Sequence, residues 1–287
     1  MKLTSITRRA LVLGASAALV ASLGLVGCGG NSNSGSTASA PESKGTITVA
    51  ASPTPHAEIL KDAVAPLLEA EGWTLDVVEY SDYIQPNVAV TEGAADANYF
   101  QHQPYLDSYN EENGTDLVGV ANIHYEPFGL YAGKKASIDE LADGDKIAIP
   151  NDTTNEARAL LLLEQAGLIE IDDAAGITAT PKDVTSNPKN LKFVELEAAQ
   201  IPRSLEDVAI AAINSNYALQ ASLNPSTDAL VIEDASGEAA QTYANILCVA
   251  ADQADSEKTK ALLEALNSQA VKDYINNTYN GAVLPLS

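Results

Sequence analysis

The stretch TITVAASPTPHAEILKDAVAPLLEAEGWTLDVVEY, residues 46–80, decides the fold. Its first residues, Thr46–Ala50, are rich in β-branched side chains and predict a strand. Pro55 then opens a helix, in which apolar residues recur at helical spacing until Gly72. A second strand, Leu75–Tyr80, follows. This alternation of strand, helix and strand predicts an α/β fold.

The same alternation continues along the chain. Further predicted strands are Leu117–Ala121, Lys146–Ile149, Leu191–Leu196, Val208–Ile213, Leu230–Ile232 and Ile246–Ala250. Predicted helices are Glu156–Ala166, Lys258–Leu266 and Gln269–Tyr279. The pattern predicts α/β layers with mostly parallel sheets, in which ligands bind at the carboxyl ends of strands and against helix N-termini.

Composition excludes several classes of protein. The chain has 287 residues and 46% apolar residues, so it can bury a large core. Its formal net charge of −23 argues against binding nucleic acid or an anionic membrane by bulk electrostatics. Two cysteines allow at most one disulfide and no four-cysteine zinc site.

The N-terminus predicts export and lipid anchoring. Residues 1–27 combine a basic start with an uncharged apolar run. This run ends in Leu25-Val26-Gly27-Cys28, which resembles a bacterial lipobox, in which the cysteine is diacylated and becomes the new N-terminus. An uncleaved membrane anchor is the alternative. Cleavage would remove three positive charges and change the net charge from −23 to −26.

Residues 28–45 predict a flexible tether, because they contain almost nothing to bury. As a random coil, such a segment spans roughly 20–25 Å. We therefore expect a protein held outside the cytoplasm at the cell membrane through the N-terminal lipid alone.

Aromatic residues are scarce and unevenly placed. The chain has three Phe, one Trp and eleven Tyr, yet six of these lie between Tyr80 and Tyr109. Tyr80 and Tyr109 are expected to fill the core. Tyr83, Phe100 and Tyr105 lie in segments that should follow strands, and a wall for a polar organic ligand is at least as good an interpretation as core packing.

Arg158 is one of two arginines after Cys28, the other being Arg203. It follows a predicted strand and the polar capping residues 151–155, near the positive end of a helix. A guanidinium there could bind a carboxylate with two hydrogen bonds. A salt bridge to a nearby acid is the alternative, and Arg203 is interpreted as structural.

The three histidines leave a second function open. If His56, His102 and His124 converged, they would form a zinc-type site in a metal-capture protein. None of them shows the tight spacing of metal ligands, and His102 lies in the aromatic segment, where contact with an organic ligand is the better interpretation. An envelope enzyme acting on amino acids is a further alternative, although no nucleophile elbow or phosphate-binding loop is present.

Nine short segments, taken in order, resemble the methionine-binding lipoproteins of ABC importers, the NlpA family. They are Thr54–Leu60, Asp82–Asn87, Asp96–Asn98, Phe100–His102, Glu126–Gly129, Ile149–Asn155, Asn187–Leu191, Glu195–Glu197 and Ile213–Ala218. The resemblance implies a two-lobed periplasmic-binding-protein-like fold of type II with a ligand cleft between the lobes. The lobes would comprise residues 46–126 plus 246–287 and residues 127–245.

The resemblance also implies a binding site. Tyr83, Phe100, His102 and Tyr105 would line the side-chain slot. Asn155 and Arg158 would hold the α-carboxylate and its neighbouring polar atoms. Asn214 and Asn245 would complete the polar end near the ammonium.

The function expected from this resemblance is capture of L-methionine, or a close relative, for delivery to an ABC permease that has a cytoplasmic ATPase. No catalysis, cofactor, metal or nucleic acid is expected, and the protein is expected to be a monomer.

Overall fold

The computed structural model describes residues 42–235 and 238–286. The predicted signal peptide, the predicted lipidation site Cys28 and most of the predicted tether lie outside these residues. Within the described part of the chain, every helix is too short or too polar to cross a membrane.

The opening stretch folds as its sequence predicts. β1, Gly45–Ala51, pairs in parallel with β2, Trp73–Glu79. Between them, helical turns at Pro53–Ala57, interrupted by extended backbone at Thr54, and at Leu60–Val64 lead into α1, Ala65–Ala70. The apolar face of this helical segment is buried in the core of the first sheet. The apolar residues that recur at helical spacing in the sequence are therefore the ones that pack against the sheet.

The remaining strands extend this unit into larger sheets. They are β3 (Ala97–His102), β4 (Leu117–Tyr125), β5 (Gly129–Ala132), β6 (Lys146–Pro150), β7 (Glu170–Ile171), β8 (Val184–Ser186), β9 (Lys192–Leu196), β10 (Ile210–Ile213), β11 (Ala229–Ile232), β12 (Ala244–Ala250) and β13 (Leu284–Pro285). All the strands predicted from the sequence have counterparts here. The structure adds β3, β5, β7, β8 and β13.

Helices follow most of the strands. They are α2 (Gln85–Thr91), α3 (Gln103–Asn113), α4 (Thr153–Gln165), α5 (Ser215–Gln220), α6 (Pro225–Asp228), α7 (Glu238–Thr242), α8 (Glu257–Leu266) and α9 (Gln269–Tyr279). Helix α4 begins earlier than predicted because the Asp152 side chain accepts a hydrogen bond from the Asn155 N–H and caps the helix there.

The strands form two large sheets and one short ribbon. The first sheet has the order β13-β4-β12-β3-β1-β2, and the second has the order β11-β5-β10-β6-β9. β1 is parallel to β2 and β3, and β6 is parallel to β9 and β10, whereas the other pairs are antiparallel. Both sheets therefore combine parallel and antiparallel pairs. The parallel order expected from the sequence is found among β1, β2 and β3 and among β6, β9 and β10.

Each large sheet packs against its own helices and has its own buried core. In the first, α8 and α9 contribute Leu262 and Ile275, each 1% exposed. In the second, the predicted apolar run of α4 is buried at Leu160 and Leu163. Burying one such side chain stabilises the fold by about 1.5–3 kcal/mol.

Among the described residues, the chain passes between the sheets twice. The first connection, residues 126–128, joins β4 to β5, and the second, residues 233–243, joins β11 to β12. Two sheets with separate cores and paired connections form the expected two-lobed architecture. The lobe boundaries derived from the sequence stay a prediction.

Candidate functional site

One cavity is lined by all eight ligand-binding residues predicted from the sequence. These are Tyr83, Phe100, His102, Tyr105, Asn155, Arg158, Asn214 and Asn245. Four residues that were not predicted complete the lining: Gln101, Glu126, Ser215 and Asn216. The structure therefore brings the predicted set together, and its role in binding stays a prediction.

The two sheets contribute different chemistry to the cavity. The first sheet supplies its aromatic residues from the end of β3, from α3 and from the loop after β2. The second supplies its guanidinium and amides from the first turns of α4 and from the start of α5. Because the residues come from the ends of strands and the beginnings of helices, they meet where an α/β architecture places ligands.

Three rings form one wall. Tyr83 lies 5.9 Å from Phe100 and 5.8 Å from Tyr105 between ring centroids, and Phe100 lies 6.0 Å from Tyr105. The Tyr105 hydroxyl donates to the Tyr83 carbonyl oxygen at 2.9 Å, and the Tyr83 hydroxyl donates to Oδ1 of Asn216 at 2.6 Å. Since these hydroxyls are satisfied within the protein, the ring faces are left for apolar contact.

His102 is held as a neutral ring. Its Nδ1 accepts from the Tyr105 backbone N–H at 3.2 Å, so the proton lies on Nε2, which donates to Oδ1 of Asn155 at 3.3 Å. Burial, together with the nearby Arg158 guanidinium, lowers the pKa of His102 to about 3. His102 therefore joins the aromatic wall to the amides without carrying a charge.

Two amides have unused hydrogen-bonding atoms. Asn214 donates from Nδ2 to Oδ1 of Asn155 at 2.8 Å, and Asn155 in turn donates to Asp152. This leaves Oδ1 of Asn214 buried without a partner, and Nδ2 of Asn216 is in the same condition. One unmatched acceptor and one unmatched donor on cavity-lining residues are costly unless a ligand satisfies them.

Arg158 is paired with an acid, as the alternative interpretation of its sequence position held. Its guanidinium forms a buried ion pair with Glu233, and Nη2 also donates to the Glu126 carbonyl oxygen at 3.0 Å. Burial alone would lower the pKa of Arg158, but the adjacent carboxylate outweighs it and raises that pKa. Nη1 makes no hydrogen bond among the described residues, so part of the guanidinium remains available.

Aromatic rings enclose the same guanidinium. Its central carbon lies 4.2 Å from the ring centroid of Tyr243, 5.1 Å from that of Phe128 and 5.9 Å from that of Tyr125. Stacking of this kind suits the planar arginine head and restrains its orientation.

Glu126 is the functional candidate that the sequence reasoning missed. It is 6% exposed, and it is the only acid among the described residues that line the cavity, where Arg158 is the only cation. Its Oε1 lies 2.8 Å from Nε2 of His124 and 3.4 Å from Nε2 of His56. Burial raises the pKa of Glu126, while His56 and Arg158 oppose that shift.

Both imidazoles beside Glu126 are neutral donors. Nδ1 of His124 meets the Tyr99 hydroxyl, and Nε2 of His56 also contacts Oδ1 of Asn245 at 2.9 Å. Burial lowers the pKa of His56 to about 4 and that of His124 to about 3. Each ring therefore presents an Nε2–H to the carboxylate or its neighbouring amide, a network that favours an ionised Glu126.

The proposed histidine metal set is not assembled. Among the described residues, the group close enough to hold a metal ion is His56, His124 and Glu126, and His102 is not part of it. The atoms of this group that face one another, Nε2 of each histidine and Oε1 of Glu126, already take part in the hydrogen bonds described above. The alternative in which all three histidines form a zinc-type site is therefore not favoured, because His102, at the end of β3, contacts Asn155 instead.

The remaining predicted roles can be placed briefly. Tyr109 is buried in a small core cluster that Tyr80 also contacts, as expected. Cys248 is a fully buried, unpaired cysteine. Arg203 is exposed and is not among the residues that line the cavity.

Two α/β lobes joined by two connections, with a cavity lined by residues from both, form a periplasmic-binding-protein-like fold. The profile of the NlpA lipoprotein family matches residues 47–287. The chain therefore belongs to the NlpA lipoprotein family.

Named relatives agree with this assignment. The chain is 43% identical over 268 residues to the methionine-binding lipoprotein MetQ of Bacillus subtilis, a match that covers 92% of this chain and 94% of the relative. It is 39% identical over 269 residues to the D-methionine-binding lipoprotein MetQ of Escherichia coli, covering 93% and 94%. A nutrient-binding protein of Burkholderia cenocepacia, solved bound to methionine, is 40% identical with a TM-score of 0.80, covering 84% of this chain and 100% of that chain.

Proposed function

We propose that the protein is an extracytoplasmic solute-binding protein that captures L-methionine and delivers it to an ABC permease. One observation carries the proposal: the cavity places a single guanidinium and a single carboxylate beside an aromatic wall. A free amino acid carries one charge of each sign on its head, and burying it requires a partner for both.

The charged head has complementary atoms on both sides. The ligand carboxylate takes Nη1 of Arg158 and the unused Nδ2 of Asn216. The ligand ammonium takes the Glu126 carboxylate and the unused Oδ1 of Asn214, with Asn245 close by. This arrangement adds Glu126 to the polar end that the sequence assigned to the two asparagines.

The side chain of methionine suits the remaining wall. Tyr83, Phe100 and Tyr105 enclose a slot in which a thioether can contact ring edges and faces. Each sulfur–aromatic contact contributes about 0.3–1.5 kcal/mol. A leucine or norleucine side chain differs by only about 1–3 kcal/mol in such a slot, so the aromatic wall alone gives a moderate preference.

Ligand binding would stabilise the closed arrangement of the lobes. Tyr83, from the side of the first sheet, bonds Asn216 from the side of the second, and the Tyr217 hydroxyl donates to the Ser81 carbonyl oxygen at 3.1 Å. Because a ligand in the cavity touches both sides, it binds the closed form more tightly than the open one. The permease would recognise that closed form.

The names of the relatives support methionine as the ligand, and one of them specifies D-methionine. We infer further that the protein is anchored to the cell membrane through a lipid on Cys28, acts as a monomer and makes or breaks no bond in its ligand. Energy for transport would come from the ATPase of the importer.

Calorimetry with the purified protein tests the proposal. L-methionine should bind at one site per chain and more tightly than leucine or norleucine, with D-methionine and methionyl dipeptides as the comparison series. Native mass spectrometry of the freshly purified protein should show a co-purifying mass of methionine. Absence of binding to every methionine compound would refute the assignment.

Two further measurements separate the alternatives. Methionine binding should survive a strong chelator, because no ligand contact in the proposal involves a metal; loss on chelation and recovery with zinc would favour metal capture. Incubation with candidate amino acids should yield no new product by mass spectrometry, and a product would indicate catalysis.

A further inference from the structure

Glu233 is a buried carboxylate at the junction of the lobes. It lies directly after β11, where the chain leaves the second sheet, and it is 8% exposed. Its carboxylate accepts hydrogen bonds from the Tyr125 hydroxyl and, at 3.2 Å, from the Phe128 backbone N–H. Its own backbone N–H donates to the Phe128 carbonyl oxygen at 2.8 Å. These bonds join the two connections between the sheets to each other.

The same carboxylate accepts hydrogen bonds from two of the five N–H donors of Arg158. Nε donates to both oxygens of Glu233, at 3.0 and 3.2 Å, and Nη2 donates to Oε2. The second N–H of Nη2 goes to the Glu126 carbonyl oxygen, which lies in the first connection. A planar guanidinium fixed at two of its nitrogens cannot rotate, so these contacts determine where Nη1 points.

We propose that Glu233 is a positioning residue for ligand binding: it holds the Arg158 guanidinium where both connections meet, so that Nη1 is presented to the carboxylate of the ligand. The inference rests on the proposed function and deepens it. The guanidinium would then contact both the ligand and the two connections between the sheets, so a change in either would affect the other.

A simpler role makes the opposite prediction. If Glu233 only neutralised Arg158, removing its charge would leave the guanidinium more attractive to an anionic ligand. If Glu233 orients the guanidinium, removing its charge releases Nε and Nη2, and the ligand carboxylate loses an aligned donor. The two roles therefore change carboxylate recognition in opposite directions.

The test compares L-methionine with methionine amide, which lacks the carboxylate charge, by calorimetry. The measured quantity is the ratio of their affinities in wild type and in Glu233→Gln, because a general loss of stability changes both affinities alike. Outer partners that orient binding groups at metal sites typically contribute 10- to 100-fold. We expect the ratio to fall about 10-fold, and an unchanged or increased ratio overturns the proposal.

Two further variants keep the test decisive. Glu233→Asp retains the charge but shortens the side chain, so orientation predicts a ratio well below wild type, whereas neutralisation alone predicts the wild-type ratio. Tyr125→Phe removes one hydrogen bond to Glu233 from outside the cavity and should lower the ratio by about 5-fold, because a typical hydrogen bond contributes roughly 1 kcal/mol and about 1.4 kcal/mol corresponds to a tenfold change. If Glu233→Gln does not fold, Tyr125→Phe decides, and a wild-type ratio in that variant overturns the proposal.

Failure of the inference is distinct from failure of the function. Wild-type protein that binds methionine, with variants of unchanged ratio, removes Glu233 as a positioning residue and leaves the function intact. Wild-type protein that does not bind methionine removes both.

Discussion

Two clusters of buried ionisable residues lie at the polar end of the cavity, and they differ in how their charges are stabilised. Arg158 and Glu233 form a direct ion pair whose two partners stay ionised over the whole physiological range. Glu126 instead faces the neutral imidazoles of His56 and His124. The first cluster keeps its charges at every physiological pH. In the second, the two imidazoles and the carboxylate can take up protons in acid.

Under the proposed function, the difference would allow one small cavity to satisfy a zwitterion. The guanidinium side must stay charged and oriented, and a buried carboxylate that accepts hydrogen bonds from four donor groups, two of them on the guanidinium, does this. The carboxylate side must stay ionised despite burial, and neutral Nε2–H donors permit this without placing a competing cation beside the ligand ammonium. We therefore expect the two clusters to respond differently to substitution and to pH.

Replacing Arg158 with Ala should give the largest effect. The variant removes the ligand's cationic partner and leaves Glu233 buried without its counter-ion. Methionine affinity should fall by about 2–5 kcal/mol, and the free energy of unfolding should fall by about 3–5 kcal/mol because a buried charge is left uncompensated. Calorimetry and urea unfolding measure the two quantities.

Arg203→Ala is the matched control for Arg158→Ala, since Arg203 is exposed and does not line the cavity. It should change neither quantity appreciably. If Arg158→Ala bound methionine as well as wild type, Arg158 would have to be removed from the site.

Acid should destabilise the fold through the imidazoles. All three histidines have a folded-state pKa below 6.5, with His56 at about 4, because burial penalises the charged ring. The unfolded chain then binds more protons, so stability is present above pH 6.5 and is lost as pH falls toward 4. For His56 alone this amounts to roughly 3 kcal/mol at about 1.4 kcal/mol per unit.

Urea unfolding at pH 7.5 and pH 5 checks this expectation. The raised pKa of Glu126 acts in the opposite direction and offsets part of the loss. His56→Gln keeps a donor near the position of Nε2 but cannot be protonated, so its stability should depend less on pH than that of wild type. Equal slopes for the two proteins would contradict the role given to His56.

Glu126→Gln should weaken methionine binding by about 1.5–3 kcal/mol, the range for hydrogen bonds to charged groups. The loss should be confined to ligands that carry an ammonium. The hydroxy analogue of methionine, which lacks the amine, therefore serves as the internal control, and an equal loss for both compounds would count against contact between Glu126 and the ammonium. In wild type, methionine affinity should decline as pH falls through the pKa of Glu126.

Tyr83→Phe should have the smallest effect. It retains the ring of the aromatic wall and removes only the 2.6 Å hydrogen bond to Asn216 across the lobes. Affinity should fall by about 1 kcal/mol, and calorimetry would detect it. Tyr80→Phe, which alters a tyrosine that is not among the cavity-lining residues, should leave affinity unchanged.

The sequence predicted the layers of the fold better than the details of its sheets. Apolar runs marked strands such as β1 and β6 because their side chains are buried on both faces. β3 was missed because half of its six residues are polar, although all six are buried. Asn98 and Gln101 are satisfied there by hydrogen bonds with Asn87, a compensation that only the folded structure reveals.

The site shows the same limit. Residues that stand out by rarity, such as Arg158 and the clustered aromatics, could be selected from the sequence and do line one cavity. Glu126 and Glu233 could not be selected, because they are two of 39 acidic residues and most acidic residues face solvent. Their roles depend on burial and on partners that are far away in the sequence. Arg158 and Glu233, for example, are 75 residues apart.

The hydrogen bond from Tyr83 to Asn216 has a kinetic consequence. It joins residues from the sides of the two sheets, and the Tyr83 ring centroid also lies 4.9 Å from that of Tyr217. Under the proposed function, we expect a bound ligand to leave only after these partners separate. Residence times of different bound amino acids should accordingly converge on the opening frequency of the protein, even where their equilibrium constants differ.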